Sequence, residues 1–223
     1  MSDTPSDTPF DTPFDTSVTD ALLSTTRAVR RRLDFDRPVD PAVLLECIAL
    51  AQQTPTASND QDWRWLIVTD PAKKAGLAEI YRGGCLVYLE RNVAETEEGQ
   101  HKRVYESALQ LAKTIEHAPV LVIPCIERRV DGAPVITMAS AFGSILPAAW
   151  SFLLALRSRG LGSVWTTAHL WNEKAGTELL GIPETVMQVA MFPVAHTIGT
   201  DFKRADRPPP ETITFWDEWG ATR

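Results

Sequence analysis

Little in these 223 residues suits a metal centre or a disulfide framework. There are three cysteines, Cys47, Cys85 and Cys125, widely scattered and odd in number. They share no ligand spacing and leave one thiol over, which points to free buried thiols in a reducing, cytoplasmic setting. The four histidines, His101, His117, His169 and His196, form no H-x-x-x-H pattern and have no cysteine partner in spacing, so no metal site is expected. No G-x-S-x-G elbow and no Walker-type loop occurs. No uninterrupted apolar run approaches the ~20 residues of a membrane span. The N-terminus is acidic and polar where a cleavable signal would be basic and then apolar. No membrane partner is therefore expected. Positive charge is also short. A net charge of −7 argues against a general nucleic-acid binder, so no nucleic-acid partner is expected.

What remains is close to an average soluble composition, 44% hydrophobic and 23% charged, at a length that suits one large domain or two small ones. Residues 1–16, MSDTPSDTPFDTPFDT, repeat an S/F-D-T-P unit with little to bury. They are expected to form a disordered or loose arm. Residues 17–223 show no repeat of domain size and no linker, and are read as a single domain.

Local patterns alternate helix and strand. A helix is expected over 18–25. Asp40-Pro41 opens the next, with Asp as cap and Pro in the first turn. There Val43, Leu44, Cys47, Ile48 and Ala51 recur on one face, and the helix ends before Pro55. A strand follows over 65–69. Asp70-Pro71 repeats the capping device and predicts a helix to about Arg82, stopped by Gly83-Gly84. Residues 85–100 carry no legible pattern. A charged helix over 101–117 and a buried strand over 118–127 come next. The segment 137–158 is a helix apolar nearly all round, so it belongs at a domain centre or in an interface. Pro147 should bend it or mark a junction. Gly160-Leu161-Gly162 closes it. A strand over 163–167, a short helix capped by Asn172, and a long strand over 186–198 complete the core. About four core strands with helices in excess imply a mixed sheet covered on both faces.

Three separated stretches carry the candidate chemistry. The first is a basic cluster: Arg27, Arg30, Arg31, Arg32 and Arg37 fall within eleven residues. A phosphate monoester carries about two negative charges near neutral pH, and the planar guanidinium fork suits it. The second is TPTASNDQDWRWLIVT, Thr54 to Thr69. There short residues let backbone groups approach a flat ligand, and a strand anchors the loop. The third is GLGSVWTT, Gly160 to Thr167. Seven tryptophans suit either a large core or a flat ligand.

Together these stretches resemble the FMN-dependent nitroreductase family. Arg27-Ala28-Val29-Arg30-Arg31 is similar to that family's R-R-S-x-R motif, which holds the FMN phosphate. Arg27 and Arg31 match its basic positions, and Val29 replaces its Ser, leaving the backbone at Ala28 and Val29 to serve. Arg30 and Arg32 are read as a solvated patch. PTASNDQDWRW is similar to the family's A-P-S-x-x-N-x-Q-P-W-x-F loop. Pro55, Asn59, Gln61 and Trp63 match, Thr56 stands for Ser, and Asp62 stands for Pro. The resemblance implies that Pro55, Thr56, Ala57 and Ser58 line the flavin from the other subunit of a dimer. A backbone N–H in 56–59 would tune the flavin potential. Gly160 to Trp165 resembles the family's G-L-G-s-x-W segment, which nominates Trp165, Thr166 and Thr167 beside the ring. Arg207 stands where the family closes a basic residue over the phosphate, with Lys203 and Arg204 as alternates.

The resemblance implies a three-layer α/β/α sandwich around a central sheet, α+β in class, as an intertwined homodimer with FMN sites at its interface. It implies a ping-pong oxidoreductase passing electrons from NADH or NADPH through the flavin to a small-molecule acceptor. Nitroaromatics, quinones and other electron-poor compounds are the acceptors expected. No general acid or base is nominated, because the flavin carries the chemistry. Competing expectations are a dehalogenating or ring-fragmenting flavin enzyme of the same fold, a non-catalytic flavin-binding protein, and a dimer that binds no flavin.

Overall fold

The computed structural model describes residues 15–223, so the expected arm, apart from Asp15 and Thr16, lies outside the described residues. The described residues fall into two compact units. The smaller joins the residues before Arg27 to Asp201–Arg223. Its helix α1 (Thr16–Thr25) begins two residues earlier than the pattern suggests, because the Asp15 carboxylate accepts from the Ser17 N–H at 2.9 Å. Near the C-terminus the Phe215 and Trp219 rings lie 4.9 Å apart, and the Arg223 guanidinium sits 4.3 Å over Trp216.

The larger unit, Arg27–Thr200, holds the sheet. Its elements are β1 (Leu33–Asp34), α2 (Pro41–Ala51), β2 (Trp63–Val68), α3 (Pro71–Glu95), α4 (Gln100–Thr114), β3 (Val120–Ile126), α5 (Val135–Ser158), β4 (Leu161–Gly162), α6 (Glu173–Leu180), β5 (Met187–Gln188) and β6 (Phe192–Thr197). The main path runs β1-β6-β3-β2, with β4 on β6 and β5 on β3. Every described pairing is antiparallel, where a mixed sheet is expected from sequence. The class is α+β, with helical layers on either side.

The capping residues act as expected. Asp40 accepts from Ala42 N–H and Asp70 from Lys73 N–H, each at 2.9 Å, and Asn172 caps α6 through Ala175 N–H. Two expectations fail for reasons of packing. Gly83-Gly84 does not stop α3, which continues to Glu95. A Cβ at Gly84 would lie 2.1 Å from the Ala168 carbonyl oxygen, so that glycine lets the helix touch the turn Ala168–Asn172. The strand expected over 186–198 is broken into β5 and β6. Pro124 in the middle of β3 has no N–H to give a neighbour. Opposite Ile123 and Pro124 stand three residues, Val189, Ala190 and Met191, which form a bulge.

β3 is buried at every position, so both its faces are covered. Val120 and Val122 join Leu44, Ile48, Phe152, Leu156, Phe192 and Val194 in the core under α2 and α5. A second cluster against α5 gathers Trp63, Ile126, Ala141, Ile145, Ala148 and Met187. On the other face Gln188, paired with Cys125, bonds to Glu173 and Thr177 of α6. All three cysteines are free and buried, and burial pushes the Cys85 and Cys125 thiols up to about 11 and about 12.

α5 runs unbroken through Pro147. The carbonyl that Pro147 cannot pair with belongs to Gly143, on the exposed side of the helix. By length and composition α5 could cross a membrane, although its uninterrupted apolar runs are short. Half of its most apolar window is buried inside the protein, as in the core helix of many water-soluble folds.

Candidate functional site

The first and third stretches meet. The Val29 N–H donates to the Ser163 carbonyl at 2.9 Å, which lays Arg27–Arg31 along the segment after α5. The two glycines of GLG serve different ends there. Gly160 takes φ +72° and turns the chain out of the helix. At Gly162 a Cβ would stand 2.6 Å from Thr197 Cγ2, 3.2 Å from Leu33 Cδ2 and 3.3 Å from Val29 Cβ. That glycine permits the close approach of the basic segment.

The same contact narrows the donors. The Val29 amide is engaged and its side chain is buried, whereas Ala28 N–H carries no hydrogen bond among the described residues. Arg31 is exposed and paired with Glu106 of α4 at 3.2 Å, so a phosphate there would compete with a carboxylate. Arg30 and Arg32 are not a solvated patch. Both are half-buried, and Arg32 Nε donates to the Ile198 carbonyl at 2.7 Å. Burial depresses the Arg30 guanidinium pKa, partly offset by nearby Tyr81, whose own hydroxyl burial pushes well up.

Trp165, Thr166 and Thr167 are held by the bulge. Met191, released from β3, exchanges backbone hydrogen bonds with Thr166 at 3.2 and 2.9 Å, and the Thr166 hydroxyl also donates to the Met191 carbonyl at 2.7 Å. Thr166 thus has its polar groups occupied, while Thr167 is exposed and Trp165 half-exposed. The Trp165 ring meets Phe192 edge-on at 5.1 Å. Phe192 stacks on Phe152 at 6.2 Å, and Phe152 packs on Trp65 at 5.1 Å. One aromatic row therefore joins Trp165 to the strand that carries the second stretch.

That second stretch is anchored to α5. Ala57–Asn59 forms one tight turn, left-handed at Ser58 and Asn59, after which the chain enters β2 at Trp63. The Ala57 N–H donates to Ser144 Oγ at 3.0 Å, and the Trp63 indole N–H donates to the Ser144 carbonyl at 3.0 Å. Ser58, Asn59 and Gln61 take φ values of +53°, +58° and +52°, a region that L residues with side chains seldom occupy. The Gln61 N–H donates to Thr56 Oγ1 and its amide to Asn59 Oδ1, which closes the turn. Asp62, at the family's proline position, accepts from Arg128 Nε at 2.5 Å, and Arg128 also reaches Asp60 at 3.2 Å. Hydrogen bonding to Asp62 raises the Arg128 pKa further. Sequence reasoning misses Ser144 and Arg128, because neither falls in a motif and both act through tertiary contacts.

Of the loop's backbone donors, Ala57 N–H is held by Ser144 and Asn59 N–H by the Thr56 carbonyl at 3.2 Å. Thr56 and Ser58 N–H carry no hydrogen bond among the described residues. Two unspent donors two residues apart, on a pinned and accessible loop, fit the acceptor edge of a flavin ring. The basic segment fits its phosphate. Arg207 belongs to the smaller unit, where it is exposed and donates to the Asp206 carbonyl at 3.0 Å.

Comparison with known proteins gives the same direction. The sequence model of the Nitroreductase family matches residues 23–196. A curated relative, the NADH dehydrogenase of Thermus thermophilus, is 28% identical over 204 residues, 85% of this chain and 91% of that protein. Solved structures share the fold, these two among them. An iodotyrosine deiodinase bound to FMN and 3-iodo-L-tyrosine superposes with a TM-score of 0.67 at 23% identity, over 90% of this chain and 99% of that one. Nitroreductase A from Vibrio parahaemolyticus gives 0.67 at 17% identity, over 94% and 79% respectively.

Proposed function

Because the chain belongs to the nitroreductase family, we propose that it is an FMN-dependent NAD(P)H oxidoreductase, active as a homodimer with small electron-poor acceptors. The observation that carries this reading is the Val29–Ser163 hydrogen bond, which unites a basic segment and a glycine-bounded, aromatic-walled segment into one surface. FMN, when bound, supplies the redox chemistry, taking a hydride from NADH or NADPH and then reducing a nitroaromatic, quinone or similar acceptor in a ping-pong cycle.

The chain's own residues bind and orient. Arg27 and Arg31 offer guanidinium forks to the phosphate, with Ala28 N–H beside them. Thr56 and Ser58 N–H would hold the polar edge of the ring. Pro55 and Ala57 shape that loop. Trp165 and Thr167 would wall the ring, and Thr166 fixes both through Met191. Arg207 is added on the family pattern alone. Dimerisation is supported by α5. Ile136, Gly143, Leu146, Pro147 and Trp150 are exposed at helical spacing, giving an apolar stripe on a helix whose other face is core. Leu45 and Leu50 on α2 are exposed as well.

The test is the visible spectrum of the purified protein, with acid release and identification of the chromophore. Release of about one FMN per chain and steady-state NAD(P)H oxidation with a quinone is the expected result. Flavin without turnover would favour a flavin-binding protein. Turnover confined to a halogenated aromatic would favour the dehalogenating alternative. A colourless protein that takes up no FMN would remove the oxidoreductase reading.

A further inference from the structure

We propose that Ser144 is the positioning residue of the loop 55–58, an inference that rests on the flavin reading above. Ser144 is completely buried on α5. Its hydroxyl donates to the Ser140 carbonyl at 2.8 Å, so its lone pairs face outward and accept the Ala57 N–H. Its carbonyl accepts the Trp63 indole. One helical residue thereby holds the loop at Ala57 and the strand that follows it at Trp63.

The loop needs such a hold. Three non-glycine residues lie at positive φ within four positions, and backbone of that kind persists only where its surroundings determine it. The hold also decides which donors are free. With Ala57 N–H bonded to Ser144 and Asn59 N–H bonded to Thr56, the loop presents Thr56 and Ser58 N–H together. Without the Ser144 hydroxyl, Ala57 N–H becomes a third donor in search of an acceptor. The turn then relaxes out of its left-handed geometry. Ser144 never touches the ring, yet it sets the hydrogen-bond pattern that the ring meets, and with it affinity and potential.

The experiment uses the full-length protein stripped of flavin and titrated with FMN by fluorescence quenching. The flavin midpoint potential and visible spectrum are recorded at saturation. Ser144→Ala is expected to weaken FMN about tenfold, the equivalent of one lost hydrogen bond, and to move the potential and the flavin band. Ser144→Cys keeps the volume of the site and replaces a good acceptor by a weak one, so it reads the bond even if the alanine variant leaves a damaging hole. It should move the same quantities in the same direction. Variants with lower melting temperature but unchanged FMN affinity, band and potential would show a packing role and overturn the proposal. A wild-type protein that binds no FMN overturns the flavin reading first and the Ser144 role with it. A wild type that binds FMN beside variants that match it overturns the Ser144 role alone.

Discussion

Gly160 and Gly162 stand two residues apart in one motif, yet substituting alanine should give two different proteins. At Gly162 the new Cβ meets Thr197 Cγ2 at 2.6 Å. Carbon pairs rest at about 3.5–4.0 Å, so something must move by about 1 Å. Thr197 is β-branched and stiff about χ1, and its N–H and hydroxyl both bond to the Gly160 carbonyl, so it yields poorly. Leu33 and Val29 close the other sides. Overpacking of this kind costs about 1–3 kcal/mol, which for a chain of this size lowers the melting temperature by about 2–12 °C. The softest response is for the Val29 segment to move away from Ser163, which separates the basic cluster from the aromatic wall. FMN affinity should therefore fall about tenfold or more. At Gly160 a Cβ meets nothing within 4 Å, and only the left-handed backbone resists it. Gly160→Ala should cost about 1–2 kcal/mol and leave FMN affinity within about threefold. Thermal melts of the apoprotein and fluorescence titration with FMN measure both. Equal losses of affinity in the two variants, or none in Gly162→Ala, would refute the view that Gly162 brings the two segments together.

Other outcomes follow from single contacts. Gly84→Ala should destabilise by about 3 kcal/mol or more, since its Cβ faces a backbone carbonyl at 2.1 Å, whereas Gly83→Ala, facing open space in the same helix, should stabilise by up to about 1 kcal/mol; urea denaturation separates them. His169 is buried with neither ring nitrogen bonded among the described residues, and burial lowers its pKa from 6.5 to about 4. The folded state thus keeps it neutral while the unfolded chain takes up a proton below about pH 6.5, so stability present at neutral pH is lost as pH falls from about 6.5 to 4, by up to about 3 kcal/mol. His169→Leu should flatten that part of a stability–pH curve. Arg27→Ala with Arg31→Ala should strip FMN without unfolding the protein, and retention of full flavin content would reject the phosphate assignment. Arg128→Ala should cost about 1 kcal/mol in denaturant melts, since its partners Asp60 and Asp62 are partly solvated, and should broaden the protease sensitivity of the loop 55–62.

The helices with capping signals were legible because their signals are local. Asp40-Pro41 and Asp70-Pro71 each satisfy free N–H groups within three residues, and no distant partner is needed. The all-round apolar pattern of α5 was legible too, since it reports burial directly. Gly83-Gly84 misled because a glycine that permits contact looks in sequence like a glycine that ends a helix. The break between β5 and β6 was hidden, since its cause, Pro124, lies on another strand. Of the site, the motif residues could be nominated, but which of their groups are free could not. Val29 N–H is spent on Ser163, Ala57 N–H on Ser144 and Thr166 on Met191. Each of those partners lies more than twenty residues away in sequence, and no spacing announces it.

The extra residue in 189–191 serves the neighbouring segment and not the sheet. Gln188 and Phe192 are four apart and would face the same way on a regular strand, yet Gln188 points to α6 and Phe192 into the core beneath α5. A chain that lost one residue there would form a regular ladder that keeps Cys125 opposite Gln188 and Val122 opposite Phe192, so Phe192 and Val194 would still face α5. Thr166, however, would lose Met191 as its partner. A deletion there would leave the core faces as they are and act instead on the segment Trp165–Thr167 that Met191 holds. Likewise, the connection at 96–99 between α3 and α4 lies outside the sheet and can change length without altering which face any strand residue meets.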